Sequence, residues 1–323
     1  DWRADGALWV AEMADYPLGM DDRGKHGGRV RLLTDRDGDG RYDHSTIFLD
    51  GLSFPAGIMA WRGGVLVASA PIVLFAKDTD GDGRADVRRT LFEGFFEGNH
   101  QLRINGLNWG LDNRVHGASG AVTIGYGGAN NIRSGISGKS VMIRSGDFRF
   151  DPDTGWIEPT SGPSQYGRVR DDWGNWFGVH NSHPLWHYVL PARYLCRNPD
   201  VTYSDSRRQV RTPRNPRIFA NKPPQKRFHS FEQSGRFTSA CGLSIYRDTI
   251  LFGRSGVTHA FTCEPFHNVI QRSVIREDGV SFSGERADDG ERDFLRRPIG
   301  GAARFLPAPA RTVHCGLPTC TAT

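Results

Sequence analysis

Two nine-residue runs hold the densest potential chemistry in the chain. They are Asp35-Arg-Asp37-Gly-Asp39-Gly-Arg41-Tyr-Asp43 and Asp78-Thr-Asp80-Gly-Asp82-Gly-Arg84-Ala-Asp86. Each places carboxylates at positions 1, 3, 5 and 9 and glycines at 4 and 6. A tight loop with that spacing can fold oxygens around a hard cation, with the position-7 carbonyl (Arg41, Arg84) as a further ligand. Gly40 and Gly83 at position 6 permit the sharp turn. Four carboxylates so close would repel one another without a counter-ion. Position 12 is Thr46 in one loop and Arg89 in the other, so neither has the bidentate Glu of a complete EF-hand. Calcium affinity of weak to moderate strength, as in extracellular modules, is therefore expected. The alternative is a solvent-facing Asp-Gly turn, and the second copy of the pattern argues against it.

Other polar groups cluster in loops. His100 and Arg103 stand in Gly98-Asn-His-Gln-Leu-Arg103, just before a strand-like segment. The densest histidine run is His180-Asn-Ser-His183-Pro-Leu-Trp-His187. Imidazoles three and four apart can converge on a turn and hold a metal, but Pro184 breaks any helix that would align them. A channel-lining polar loop and a structural strand over Pro184–Tyr188 are the other readings. Glu264 and His267, around Pro265, form a further pair, and Arg236 joins these as a candidate for binding a cofactor. No nucleophile elbow, Walker loop or strand-to-helix dinucleotide fingerprint is present; Gly125-Tyr-Gly-Gly is only a glycine-rich loop without a following helix.

The elements that must position these groups are strands. Helical periodicity is almost absent, and short β-rich runs are separated by Gly, Asp and Asn turns: Leu8–Ala11, Val30–Leu33, Val65–Ala68, Ile72–Ala76, Val141–Arg144, Phe148–Phe150 and Thr249–Phe252. A marked turn followed by an apolar strand recurs at Asp5, Trp61, Trp109, Asp172 and Tyr246. A four-stranded blade with its loops fills such an interval, so the expected fold is an all-β β-propeller of six-bladed type, truncated to about five blades. Phe150-Asp-Pro-Asp-Thr-Gly-Trp156 reads as a hairpin with its turn residues in place.

The chain has 323 residues, 40 of them Gly, with 37% hydrophobic content and a net charge of +5. The basic stretch Arg207–Arg227 is broken by prolines and holds one aromatic, Phe219, so a solvated loop is expected there and no nucleic-acid partner. No apolar run approaches the roughly 18 residues of a membrane span. No signal peptide opens the chain, which reads as starting inside a domain. Of five cysteines, none forms CxxC. Cys241 and Cys263 lie in strand-like segments and would meet either as a disulfide or as two buried thiols. The propeller is expected over 1–294. Residues 295–323 have neither helical nor strand period and read as an irregular tail. Shifting the codon frame from Arg311 permits D-G-A-L-W-V-A-D-M-Y-R by codon degeneracy, close to the opening DGALWVAEM. The tail is therefore expected to be out of frame, and Cys315 and Cys320 to be unpaired with the body.

Many motifs in order resemble one family over Asp5 to Asp293. They include Gly28-Arg-Val-Arg-Leu-Leu with the first acidic loop, Asp50-Gly-Leu-Ser-Phe-Pro-Ala-Gly-Ile, Asn105-Gly-Leu-Asn-Trp-Gly-Leu-Asp-Asn, Asp171-Asp-Trp-Gly-Asn-Trp-Phe-Gly and Cys263-Glu-Pro-Phe-His-Asn. The chain resembles the membrane-bound dehydrogenase domain of the Planctomycetes–Verrucomicrobia type, a relative of glucose/sorbosone dehydrogenase propellers. The resemblance implies a periplasmic or secreted oxidoreductase acting on a sugar or alcohol, with calcium and pyrroloquinoline quinone as cofactors and a cytochrome c-type electron acceptor as partner. It implies His100 as the base that takes the hydroxyl proton and Arg103 as the stabiliser of an anionic cofactor oxygen. Family members often continue into a CxxCH segment, which this sequence does not contain. Two rivals stand beside this reading: a non-catalytic propeller that binds carbohydrate or protein, and a lactonase-like hydrolase.

Overall fold

A computed structural model describes residues 1–296, apart from residues 17, 22, 121–128, 145, 199, 201–205, 221–234, 254–255 and 288–289. Gly125 and the tail from residue 297, with Cys315 and Cys320, lie outside the described residues. The fold is all-β and propeller-like: five antiparallel sheets follow one another along the described chain, built by neighbouring strands. The chain divides into two compact units, 1–163 and a second beginning at Ser164.

The first unit holds three sheets. β1 (Leu8–Glu12), β2 (Gly28–Thr34) and β3 (His44–Leu52) form the first. The second runs through β4 (Gly57–Trp61), β5 (Gly64–Ser69), β6 (Ile72–Lys77) and β7 (Val87–Glu93). The third contains β8 (Asn105–Trp109), β9 (Val115–Ala118), β12 (Asp147–Asp151) and β13 (Trp156–Thr160). Between β9 and β12 the chain makes a hairpin, β10 (Asn130–Ser134) and β11 (Ser140–Ile143), that joins the second sheet through Arg133↔Glu93 and Ser134↔Phe92. Alternation explains the outer strands: in β2, Val30 and Leu32 are buried between half-exposed Arg29, Arg31 and Leu33. β5 is buried along its whole length, so its Val-Leu-Val-Ala run is apolar on both faces. Two core clusters result, one around Trp9, Phe48, Val67 and Leu74, the other around Phe75, Phe92, Phe148 and Phe150.

The second unit holds two sheets. β14 (Arg168–Arg170), β15 (Trp176–His180), β16 (His183–Tyr188) and β17 (Arg207–Gln209) form one, with the short α1 (Ala192–Leu195) between its last strands. β18 (Cys241–Tyr246), β19 (Thr258–Glu264), β20 (Val269–Asp278) and β21 (Ser281–Arg286) form the other, and β22 (Leu295–Arg296) adds to β20. The first two residues of the expected irregular tail are thus strand, paired as Ile270↔Leu295 and Val269↔Arg296. Thr249–Phe252 is a turn, not the expected strand. The Leu251 N–H donates to the Tyr246 hydroxyl at 2.8 Å, and the Phe252 ring packs on His259 and Phe261, so the apolar residues serve side-chain packing and not a ladder. Cys241 and Cys263 do lie opposite one another on β18 and β19, and both remain thiols. No described helix is long and apolar enough to cross a membrane.

Candidate functional site

Each acidic loop joins the last two strands of a hairpin, β2 to β3 and β6 to β7. Their backbones match. Gly38 and Gly40 have φ of 76° and 85°, and Gly81 and Gly83 have 85° and 84°. Asp35 accepts from the N–H groups of Gly38 and Gly40, each at 2.8 Å; Asp78 accepts from Gly81 at 2.7 Å and Gly83 at 2.8 Å. Those bonds, that of Gly40 first for Asp35 and that of Gly81 first for Asp78, hold both carboxyls below the usual carboxylate range. Carboxylate oxygens of Asp35, Asp37 and Asp39 lie within 4.8 Å of one another, as do those of Asp78, Asp80 and Asp82. Three of the four expected carboxylates therefore converge in each loop. The fourth is used differently: Asp43 accepts from the Arg36 N–H at 3.0 Å, and Asp86 from the Thr79 N–H at 2.9 Å and the Thr79 hydroxyl. These bonds tie the end of each loop back to its start. The N–H groups of Arg41 and Arg84 are held by Asp39 and Asp82, at 2.8 and 2.7 Å. All-oxygen donors of this kind fit a hard cation such as calcium.

At the start of β4 and β8 a second cluster forms. Gly57 allows the approach: a Cβ there would lie 3.3 Å from the Asn105 Cα. The loops that precede the two strands deliver Ser53, Phe54, His100 and Arg103. His100 opens a 3₁₀ turn, His100–Leu102, capped by the Asn99 side chain on the Gln101 N–H at 2.9 Å. Its ring lies on Phe54 at 4.1 Å between centroids and on Tyr16 at 6.5 Å. Burial, and then the Arg103 guanidinium, lower its pKa below the ordinary imidazole value, against an opposing pull from Asp15. Arg103 is buried, with its guanidinium 4.6 Å from the Phe54 centroid. It donates to the Glu97 carbonyl at 2.8 and 3.2 Å and to the Ser53 hydroxyl at 3.0 Å. Sequence reasoning missed Asp15. It is fully buried; Oδ2 accepts from Phe54 N–H at 3.0 Å and Gly27 N–H at 3.3 Å, and Oδ1 has no partner. Phe54 has φ of 45°, unusual for a bulky residue. Nothing in Met13-Ala-Asp-Tyr16 distinguishes Asp15 from any loop aspartate.

The six residues expected to bind a cofactor are all in the second unit and fall into separate settings. His180 and His183 face one another across the β15–β16 turn, with ring centroids 5.8 Å apart and both stacked on Trp186. Arg214 donates to His183, and the Arg207 guanidinium lies 4.6 Å from the Trp186 ring. Burial first, and the neighbouring arginines second, push His183 down to about 4. His187 is not a loop residue: it is buried within β16, against Phe177 and Phe282, with Nδ1 3.1 Å from the Ser281 hydroxyl, and burial lowers it to about 4. Glu264 and His267 also leave the expected set. Glu264 is fully buried and accepts from the N–H groups of Thr238 and Ser239 at 3.2 and 2.8 Å, with His267 Nδ1 at 3.4 Å. His267 Nε2 accepts from the Gly235 N–H at 3.3 Å, which places the imidazole proton on Nδ1. This pair fastens backbone. Arg236 donates to the Asn215 carbonyl at 2.6 Å.

Fold and loops together define a class: an all-β, propeller-like protein carrying two matched acidic loops. The chain belongs to the family described as domain of unknown function DUF7133, whose match covers residues 1–298. No curated protein matches it. One solved structure, described as Kluyveromyces lactis Hsv2 complete loop 6CD, is similar at 9% identity with a TM-score of 0.36, over 84% of this chain and 81% of that chain. A likeness at that level carries no argument about this chain.

Proposed function

We propose that this chain is a calcium-binding, exported domain that oxidises a sugar or other alcohol. The observation that carries the catalytic part is His100. Its imidazole is half-buried, burial and Arg103 shift it toward the neutral form, and its ring lies against Phe54. A neutral, positioned imidazole is the form able to accept a hydroxyl proton at neutral pH. His100 would take the O–H proton of the alcohol as it is oxidised. Arg103 sets the local charge that favours an alkoxide as that proton departs. Pyrroloquinoline quinone would supply hydride acceptance.

The acidic loops would hold calcium through Asp35, Asp37 and Asp39, and through Asp78, Asp80 and Asp82. Without a bidentate glutamate the sites suit a compartment with calcium near the roughly millimolar level of extracellular modules.

The test is dye reduction with a panel of sugars and alcohols, after adding calcium and pyrroloquinoline quinone. Activity is expected with at least one substrate, and His100→Ala should lower turnover by about 10² or more with the melting temperature nearly unchanged. No dye reduction with any substrate, or full activity in the variant, would overturn the catalytic reading.

A further inference from the structure

At the far ends of β4 and β8 from His100, three hairpin turns enclose a groove of about 600 Å³. Its walls are Trp61 and Arg62 of the β4–β5 turn, Trp109 and Arg114 of the β8–β9 turn, and Asp151 and Asp153 of the β12–β13 turn. A five-residue strand is roughly 15 Å long, so this groove is a separate place from the Phe54–Arg103 cluster. A smaller hollow of about 400 Å³ shares Arg114 and Asp151 and is backed by Trp156.

The groove's charges cancel in pairs. Arg62 meets Asp153 at 2.8 Å, and Arg114 meets Asp151 at 3.1 Å. Such a surface repels a phosphate with one partner of each pair while attracting it with the other, so it is not built for a polyanion. Of its two tryptophans, Trp61 and Trp109, Trp109 is 38% exposed. In the smaller hollow, Arg114 and Arg149 lie over the Trp156 ring at 5.3 and 5.6 Å, so that indole is already engaged by cations. Arg62 has φ of 46° at the first position of a two-residue turn, with Gly63 at 75°. Turns of this kind favour Asn or Gly there. In that turn the Arg62 guanidinium lies 5.2 Å from the Trp61 centroid and pairs with Asp153.

We propose that this groove is a binding cleft for a neutral oligosaccharide. A pyranose ring carries one face of C–H groups, which packs on an indole, and a rim of adjacent hydroxyls that both donate and accept. A carboxylate–guanidinium pair offers an acceptor and donors side by side, and each partner keeps hydrogen-bonding capacity beyond the ion pair. The groove volume lies within the roughly 300–1,000 Å³ of small-molecule sites. A purely apolar ligand would strip water from two ion pairs and return no hydrogen bonds. The cleft does not depend on the oxidation reading, because it shares no residue with the His100 cluster.

Intact protein is titrated with cellohexaose, maltohexaose, xylohexaose and chitohexaose, followed by tryptophan fluorescence and calorimetry, with inorganic phosphate as control. At least one hexaose should bind with Kd on the order of 1 mM or tighter, and phosphate should give no response. Trp109→Ala should weaken binding about tenfold or more, and Trp109→Tyr should restore part of it. Asp153→Ala, at a half-exposed turn, tests the same cleft without disturbing the core. His100→Ala should leave hexaose binding unchanged, so failed catalysis and a failed cleft give different results. Lack of response to all four sugars at about 10 mM, or wild-type affinity in both groove variants, overturns the proposal.

Discussion

Phe54 holds a left-handed backbone that costs a bulky residue about 1–2 kcal/mol, and Asp15 is its restraint. The buried Asp15 carboxylate takes the Phe54 N–H, and the Phe54 ring in turn carries His100 and Arg103. Removing the carboxylate leaves the N–H groups of Phe54 and Gly27 without their acceptor. Asp15→Ala should therefore lower unfolding stability by about 1–3 kcal/mol in urea titrations, while Asp50→Ala, at an exposed position of β3, should change little. Equal stability of the two variants would remove Asp15 from this role. None of this could be seen in the sequence. His100 and Arg103 stood out as polar residues before a strand, whereas Asp15 owes its role to a contact 39 residues away. His187 gives a second residue-scale test. Its pKa falls from 6.5 unfolded to about 4 in the fold. The folded state binds fewer protons, so the contribution of His187 is fully present above about pH 6.5 and is lost as pH falls toward about 4. His187→Phe should flatten the fall in stability between about pH 6.5 and pH 5, measured by chemical denaturation; an unchanged slope would show that burial of this imidazole is not linked to folding.

Elements were legible where one turn or one alternation decides them. The acidic loops are the plainest case. Their glycines demand positive φ and their first aspartates hold backbone N–H groups, both local consequences of residue order. The hairpin of β12 and β13 was legible for the same reason, with Asp151 accepting from the N–H groups of Asp153 and Thr154 at 2.9 and 3.2 Å. Thr249–Phe252 misled because an apolar run alone cannot tell a strand from residues that pack sideways on an aromatic cluster. The attachment of β10 to β7 was not legible, since pairing across some 40 residues leaves no local mark. The groove is hidden in the same way: each Trp-marked turn could be seen, but not that three of them converge. For the loops the expected outcome is direct. Calcium should raise the melting temperature by binding only the folded form, and Asp37→Ala combined with Asp80→Ala should abolish that rise. Identical melting of the wild type in chelator and in about millimolar calcium would rule out the loops as cation sites.

At the scale of the whole molecule, calcium in the two proposed loop sites would act on one unit. Both acidic loops lie within residues 1–163, on hairpins whose strands supply Val30, Leu32, Phe48, Leu74 and Ala76 to one core cluster. The second loop also reaches the first sheet: the Ala85 N–H donates to the Phe48 carbonyl at 2.8 Å. A cation in either loop therefore restrains the same two sheets, while the core around Phe177, Leu243 and Ala260 holds the second unit from its own strands. Local opening is set by the contacts of each cooperative region, so a ligand protects the region that binds it. Hydrogen exchange with and without calcium should thus show slower exchange in β2, β3, β6 and β7 and little change in β15, β16, β19 and β20. Equal protection of both sets would mean that the units open together, and the division of the chain would then have no energetic meaning. Protection confined to β15–β20 would place the cation away from the acidic loops altogether.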